Sequence, residues 1–286
     1  MFKYMPYRRV FFDNFLIRAS QRVSLNDPFE VLPSKKWLEK AYFEKYEKDS
    51  EKDFDNLVKE MTRMNLNNMG MISLTEKSNN LLMWSHYADE HRGMVIEIDE
   101  NNETLKRKFD YDKSSPVTKK VEYCQNRVNE YKFDDMYLPY QYKFDDWKYE
   151  AEHRIIVKNL FSCDCWMIVF NNKTDAKQAY EKKQIDGISI NKSINNCILK
   201  DNIITFETRD IEQRFDPNLI FNNPRFMSMY AIPREAIKTV IFGMKSKQED
   251  IKEILEHINN KPDLNHIKVK QAKLSESKFD LDFESL

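Results

Sequence analysis

The stretch WKYEAEHRIIV, residues 147–157, decides the predicted fold because it joins charged side chains to an apolar end. Its last three residues are typical of a buried β-strand. If the whole stretch is a strand, successive side chains point to opposite faces, so Glu150, Glu152 and Arg154 share one face. One interpretation is a solvent-facing strand with an exposed ion pair. The other is a strand whose charges face a cleft while its apolar end enters the core.

Composition excludes several classes of protein. Among the 286 residues, 46 basic side chains nearly balance 47 acidic ones, so no global charge favours nucleic acid or a membrane surface. Only 4 glycines are present, and neither of the glycine-rich phosphate-binding motifs occurs. The sequence therefore predicts neither a dinucleotide-binding Rossmann domain nor a P-loop enzyme.

Cysteine usage and hydropathy indicate where the protein works. The 4 cysteines form no CxxC pair, which favours reduced thiols over a zinc site or disulfides. The first twenty residues carry charges throughout, and no stretch is long enough to span a bilayer. We expect a soluble, cytoplasmic protein without a membrane partner.

The order of predicted elements indicates an α+β fold. Strands expected at 70–75, 94–99 and 236–243 alternate irregularly with helices. We expect small mixed sheets with flanking helices around a central cleft. The chain is predicted to be one domain, 1–286, with an insertion at 158–200.

The segment NDPFE, residues 26–30, has the features of a helix start. Asp27 suits the N-cap, proline suits the first helical position, and Glu30 stands three residues after the cap. Capping alone explains these residues. Capping does not require Asn26, so the alternative interpretation is a helix N-terminus that binds an anion such as phosphate.

A second polar cluster lies in KSNNLLMWSHYADEHRG, residues 77–93, which is predicted to form a helix capped by Ser78. Trp84, His86 and Tyr87 lie on this helix. It is either an amphipathic core helix or a pocket wall with aromatic faces for a flat ring.

These clusters resemble a bacterial family catalogued as domain-of-unknown-function family 2971. The matching motifs include NDPFE, LMWSHYADEHRG and WKYEAEHR, and the resemblance spans most of the chain except 158–200. The family name carries no activity with it.

The order of elements also resembles, more distantly, that of ADP-ribosyltransferases. Their late strand carries a Glu-x-Glu motif, which Glu150-Ala-Glu152 matches here. The resemblance implies an NAD-consuming enzyme without a metal, in which Glu152 stabilises an oxocarbenium-like transition state and Glu150 handles the acceptor. The acceptor would be water, a protein or a nucleic acid.

For each of the other two positions of the ADP-ribosyltransferase pattern, this sequence offers two candidate residues. Arg8 or Arg9 would supply the early basic residue, and Ser73 or Tyr87 the middle one. The residues predicted to bind NAD or another nucleotide are Arg8, Asn26, Ser73, Trp84, His86, Tyr87, Trp147 and Arg154.

Three functional hypotheses follow. The first is an ADP-ribosyltransferase or NAD glycohydrolase acting as a bacterial toxin or phage-defence effector. The second is a non-catalytic module that binds a nucleotide or a partner in the aromatic cleft. The third is a nuclease with Mg²⁺ or Mn²⁺ held by Asp27, Glu30, His86, Glu150 and Glu152.

Overall fold

A computed structural model describes residues 1–45, 55–56, 59, 68–109, 117–129, 137–185, 188–189, 197–207 and 220–286. These residues form mixed sheets with flanking helices, which confirms the α+β prediction. The likeness of this fold to ADP-ribosyltransferases stays a prediction.

The strands and helices follow one another irregularly along the chain. The strands are β1 (Phe2–Met5), β2 (Leu16–Ala19), β3 (Gly70–Thr75), β4 (Met94–Ile98), β5 (Lys119–Lys120), β6 (Glu122–Cys124), β7 (Tyr142–Phe144), β8 (Glu152–Val157), β9 (Cys165–Val169), β10 (Gln184–Ile185), β11 (Ile188–Ser189), β12 (Ile198–Lys200), β13 (Ile203–Phe206), β14 (Phe226–Ala231), β15 (Ile237–Phe242), β16 (Lys268–Leu274) and β17 (Leu281–Ser285). The helices are α1 (Phe11–Asn14), α2 (Lys35–Lys45), α3 (Leu81–Tyr87), α4 (Glu103–Phe109), α5 (Lys173–Lys182) and α6 (Gln248–Asn259).

Two large sheets organise the described part of the chain. One has eight strands in the order β17-β16-β15-β4-β1-β3-β8-β5, and the other has five in the order β12-β13-β9-β14-β2. Their neighbouring strands are antiparallel except for the parallel pair β15 and β16. The sheets meet where Ser20, just after β2, forms a β-bridge with Met71 of β3. Ser20 and Met71 exchange backbone hydrogen bonds of 2.7 and 3.0 Å.

Apolar side chains pack on both faces of β8. Ile155 and Val157 belong to the main hydrophobic core. Ile156 packs against a second cluster that contains Trp37 and Tyr140. Burying a large apolar side chain contributes about 1.5–3 kcal/mol, so the two clusters fix this strand firmly in the sheet.

The segment predicted as an insertion, 158–200, supplies part of the second sheet. Its strand β9 lies between β13 and β14, and α5 follows it. Residues 186–187 and 190–196 of this segment lie outside the described residues. The division into one domain with an insertion stays a prediction.

The segment NDPFE forms turns rather than a helix. Asp27 Oδ1 accepts a 2.8 Å hydrogen bond from the backbone N–H of Phe29, and Val31 then adopts a positive φ of 59°. That conformation ends any helical path, so the helix start predicted at 26–30 is wrong. The helix begins later, where Ser34 Oγ accepts a hydrogen bond of 3.2 Å from Trp37 N–H.

In the described ranges of the chain, no helix is both long and apolar enough to cross a membrane.

Candidate functional site

A cleft of about 340 Å³ lies beside the eight-stranded sheet. Its walls come from β1, β3, β8 and α3, from the turn region 20–30, and from the chain between β7 and β8. Both glutamates of the Glu-x-Glu motif, Glu150 and Glu152, line it. The cleft therefore contains the residues that the sequence singled out as catalytic.

The two glutamates do not share a strand. Glu150 ends a 3-10 helix, Asp145–Glu150, and only Glu152 belongs to β8. Ala151 between them adopts a left-handed φ of 44°, which turns the chain. The predicted strand beginning at Trp147 is therefore wrong in its first half. The turn nevertheless brings both carboxylates to one ammonium, because Lys143 Nζ lies 2.6 Å from Glu150 Oε2 and 3.1 Å from Glu152 Oε2.

Glu152 is enclosed by cationic and polar donors. Arg154 donates to it through Nε at 2.9 Å and Nη2 at 2.8 Å, and Ser73 adds a side-chain hydrogen bond. Burial would raise the pKa of Glu152, but the charges of Arg154 and Lys143 and these hydrogen bonds lower it to about 2. Glu152 is ionised at neutral pH. Since Arg154 is fully buried, the interpretation of an exposed surface ion pair is wrong.

Glu150 is linked to the helix wall of the cleft. The Tyr87 hydroxyl donates a 2.6 Å hydrogen bond to Glu150 Oε1, and Asn26 hydrogen-bonds the same hydroxyl. Burial and the negative charge of Glu150 raise the pKa of Tyr87, so the tyrosine stays protonated and donates. This bond connects α3 to the floor of the cleft.

Glu30 is the third buried carboxylate of the group. It accepts a hydrogen bond from Arg154 Nη2, and its Oε2 lies 3.7 Å from Lys143 Nζ. Burial raises the pKa of Glu30 against the attraction of Arg154 and Lys143. Three carboxylates thus share two cations. We name Glu30, Glu150, Glu152, Lys143 and Arg154 the carboxylate network.

Sequence reasoning missed the central member of this network. Lys143 is buried, and its Nζ lies 4.9 Å from the centroid of the Trp147 ring. It comes from a Tyr-, Asp- and Lys-rich region, 121–145, that has no clear hydrophobic period. The YKF alternation of β7 would place Lys143 on the exposed face, whereas the structure buries Lys143 and exposes Phe144.

The cleft brings together most of the predicted binding residues. Asn26, Ser73, His86, Tyr87 and Trp147 all line it. His86 is exposed at the rim, where its Nδ1 lies 3.4 Å from the Tyr149 hydroxyl. These side chains give the cleft aromatic walls and polar tips, as expected for a site that orients a ring-containing ligand.

Three predicted binding residues do not line the cleft. Trp84 is fully buried, stacks on His91 with ring centroids 6.2 Å apart, and packs edge-on against Tyr4. Arg154 is also fully buried, and it supports Glu152 rather than facing the cleft. Arg8 is not a lining residue.

Arg9, the alternative to Arg8, is engaged elsewhere. Its Nε donates a 2.6 Å hydrogen bond to Glu253, and its Nη1 donates at 3.1 Å to Asp13. These contacts tie Arg9 to α1 and α6, so the structure gives it no place in the cleft.

The metal-dependent hypothesis meets a physical obstacle in the carboxylate network. Lys143 and Arg154 occupy the space between the carboxylates, where a divalent cation would have to lie. In the described ranges, no group of three or more His, Cys, Asp or Glu side chains is arranged to hold a metal ion.

Comparison with known proteins gives one family match. Residues 83–155 match the family model described as "Protein of unknown function (DUF2971)". The likeness to this family is carried by those residues, and the rest of the chain lies outside the match. The DUF2971 match runs from α3 through β8 and includes Tyr87, Lys143, Glu150, Glu152 and Arg154, which confirms the predicted family. No curated protein and no solved structure matches the chain significantly.

Proposed function

We propose that the cleft binds NAD and breaks the bond between nicotinamide and ribose, as an ADP-ribosyltransferase or an NAD glycohydrolase. The observation that carries this proposal is the carboxylate network, in which three carboxylates share two cations. Because the carboxylates outnumber the cations by one, one carboxylate is either protonated, and can donate its proton, or ionised without full compensation of its charge. Both suit cleavage of a glycosidic bond, whose transition state develops positive charge on the sugar.

The two cleft glutamates suit different roles in this reaction. Glu152 is held ionised by Arg154 and Lys143, which fits a fixed carboxylate that stabilises the oxocarbenium-like ribose. Glu150 has one oxygen bonded to Tyr87 and the other to Lys143, which fits a group that orients the acceptor. Fixed charges of this kind need no reorganisation when the transition state forms.

The walls of the cleft suit a nucleotide ligand. Trp147, Tyr87 and His86 supply aromatic surfaces at the side nearest Glu150, where the nicotinamide ring would lie. Asn26 and Ser73 add polar groups to the lining of the cleft. Consumption of NAD at such a site would suit a bacterial toxin or a phage-defence effector.

One observation favours a second candidate function, a non-catalytic module that binds a nucleotide or a partner. The carboxylate oxygens of Glu152 already accept hydrogen bonds from Arg154 and Lys143 within the protein. A buried network whose oxygens are already hydrogen-bonded within the protein also serves to hold a binding surface in one shape.

Nicotinamide release measured beside ADP-ribose incorporation separates these candidates. Glu152→Gln should slow every reaction of NAD about 100- to 1000-fold, through loss of one electrostatic contact to the transition state. Glu150→Gln should spare hydrolysis of NAD and end transfer to a macromolecule. Wild-type protein that releases no nicotinamide with any cell extract as acceptor source would leave the binding module as the function.

A further inference from the structure

Positive charges at the end of the cleft lined by β1 and by Ser20 and Ser24, just after β2, are paired differently from those of the carboxylate network. Lys3 of β1 lines the cleft, and its Nζ donates a 2.9 Å hydrogen bond to the backbone carbonyl of Ser73. Among the described residues, Lys3 forms no ion pair. Two of its three N–H donors are therefore available to a ligand.

Arg18 of β2 is the second cation at this end. Its Nη2 donates to Ser24 Oγ at 2.5 Å and to the Pro224 carbonyl at 3.0 Å, so both of its acceptors are neutral. Its Nε is buried without a hydrogen-bond partner in the described structure. Ser24 lines the cleft and accepts from Arg18, which leaves the Ser24 hydroxyl hydrogen free to donate into the cleft.

Arg8 is close enough to act on both of these cations. Its positive charge lowers the pKa of Lys3 and that of Arg18. In the described ranges Arg8 also has no carboxylate partner. Burial and the mutual repulsion of these groups lower the pKa of Lys3 to about 8, against the attraction of Glu152 and Glu150.

Like charges gathered without a carboxylate in direct contact are costly to a folded protein. An anion bound among them would remove that cost and would use the donors that the protein leaves open. Phosphate is an anion that lysine, arginine and hydroxyl donors bind in proteins, and its several oxygens can accept from more than one of them.

We propose that Lys3 and Ser24 form the contact surface of a phosphate-binding subsite, with the charges of Arg8 and Arg18 close behind. The ligand class is a phosphate or diphosphate group. This inference deepens the proposed function, because the same cleft would then take the diphosphate of a dinucleotide while the carboxylate network faces the sugar. Phosphate binding itself does not depend on any reaction.

Isothermal titration calorimetry of the full chain with pyrophosphate, inorganic phosphate and ADP-ribose tests the subsite. We expect saturable binding of pyrophosphate, weakened about 10- to 100-fold by Lys3→Met, since one hydrogen bond between charged groups is lost. Ser24→Ala should weaken it several-fold and tests the hydroxyl donor independently of the lysine. Tighter binding of ADP-ribose than of pyrophosphate would identify a nucleotide as the source of the phosphate, and equal binding would identify the free anion.

The matched control is Lys268→Met, which removes one exposed positive charge from β16, several strands away from the cleft. It should leave pyrophosphate binding unchanged. No saturable binding of any of the three probes, or equal weakening by Lys268→Met, would overturn the subsite. Binding that persists in Glu152→Gln without nicotinamide release from wild-type protein would support the subsite and contradict the proposed enzymatic function.

Discussion

Lys143 Nζ donates a 2.6 Å hydrogen bond to Oε2 of Glu150, and both side chains are buried. The same ammonium reaches Glu152 and Glu30, so one lysine serves all three carboxylates. Lys143→Met would leave Glu30 and Glu152 with Arg154 alone and would leave Glu150 without a cation in contact. Because an unpaired buried charge is costly, we expect the free energy of unfolding to fall by about 3–5 kcal/mol in urea denaturation.

Lys148→Met is the control for this change, since Lys148 is an exposed neighbour in the same segment. Its effect should stay within about 0.5 kcal/mol. Combining Lys143→Met with Glu150→Gln should restore part of the lost stability by removing one of the stranded charges. A loss from Lys143→Met no larger than that of the control would show that the network does not stabilise the fold.

The ionisation of Glu152 should make the stability of the protein depend on pH in the acid range. Its pKa is lowered from 4.5 in an unfolded chain to about 2, so its ionised form stabilises the folded protein. That contribution, on the order of 3 kcal/mol, is full above about pH 4.5 and is lost as the pH falls toward 2. The difference in unfolding free energy between wild-type protein and Glu152→Gln should therefore shrink over this window.

Chemical denaturation between about pH 6 and 2.5 measures that difference. Glu249→Gln, at an exposed position on α6, should show almost no difference at any pH. Parallel stability curves for wild-type protein and Glu152→Gln would contradict the pairing of Glu152 with two cations.

The charge of Lys3 should destabilise the folded protein, in contrast to that of Glu152, and this effect should disappear at alkaline pH. Its pKa is lowered from 10.5 to about 8 by burial and by the charges of Arg18 and Arg8, despite the attraction of Glu152 and Glu150. The folded protein therefore bears a cost that is full below about pH 8 and disappears as the pH approaches 10.5. Lys3→Met should raise the free energy of unfolding at neutral pH by on the order of 1–3 kcal/mol, and the gain should shrink between pH 8 and 10.

Comparison with Lys268→Met over the same pH range isolates this effect from general changes in net charge. If the gain from Lys3→Met is equally large at pH 7 and at pH 10, folding does not lower the pKa of Lys3.

Substitutions at the neighbouring residues Asn26 and Asp27 should have different effects, one on ligand binding and the other on stability. Asp27 holds the turn by accepting from the Phe29 N–H, so Asp27→Ala should cost about 1 kcal/mol of stability. Asn26 is exposed and hydrogen-bonds the Tyr87 hydroxyl, so Asn26→Ala should weaken nucleotide binding with little loss of stability. Thermal melts with and without ADP-ribose measure both effects. Equal destabilisation by the two changes would mean that Asn26 is structural.

Local sequence signals identified the strands and helices where hydrophobic pattern alone determines them. The strands at 70–75 and 94–99 were predicted from apolar, β-branched runs and are present as β3 and β4. The helix predicted over 77–93 forms only as α3. Asn80 rather than Ser78 caps it, since Asn80 Oδ1 accepts from the N–H groups of Leu82 and Met83 at 3.1 and 3.2 Å.

The site was predictable only in part because its key contacts are distant in sequence. The Glu-x-Glu pattern indicated the cleft, but alanine seldom adopts positive φ, so the turn at Ala151 had no sequence signal. Glu30 meets Arg154 across 124 residues of chain, and that pairing depends on how the sheets meet. No spacing rule therefore points from Glu152 to its partners Glu30 and Lys143.

The most direct test of the central claim is a crystal structure of the Glu152→Gln variant soaked with NAD. The substitution should keep the dinucleotide intact by removing the carboxylate that stabilises positive charge on the ribose. We predict that the bond between nicotinamide and ribose lies beside positions 150 and 152, with the nicotinamide ring near Tyr87 and Trp147. A cleft that stays empty at saturating NAD, or NAD bound away from the carboxylate network, would contradict the account.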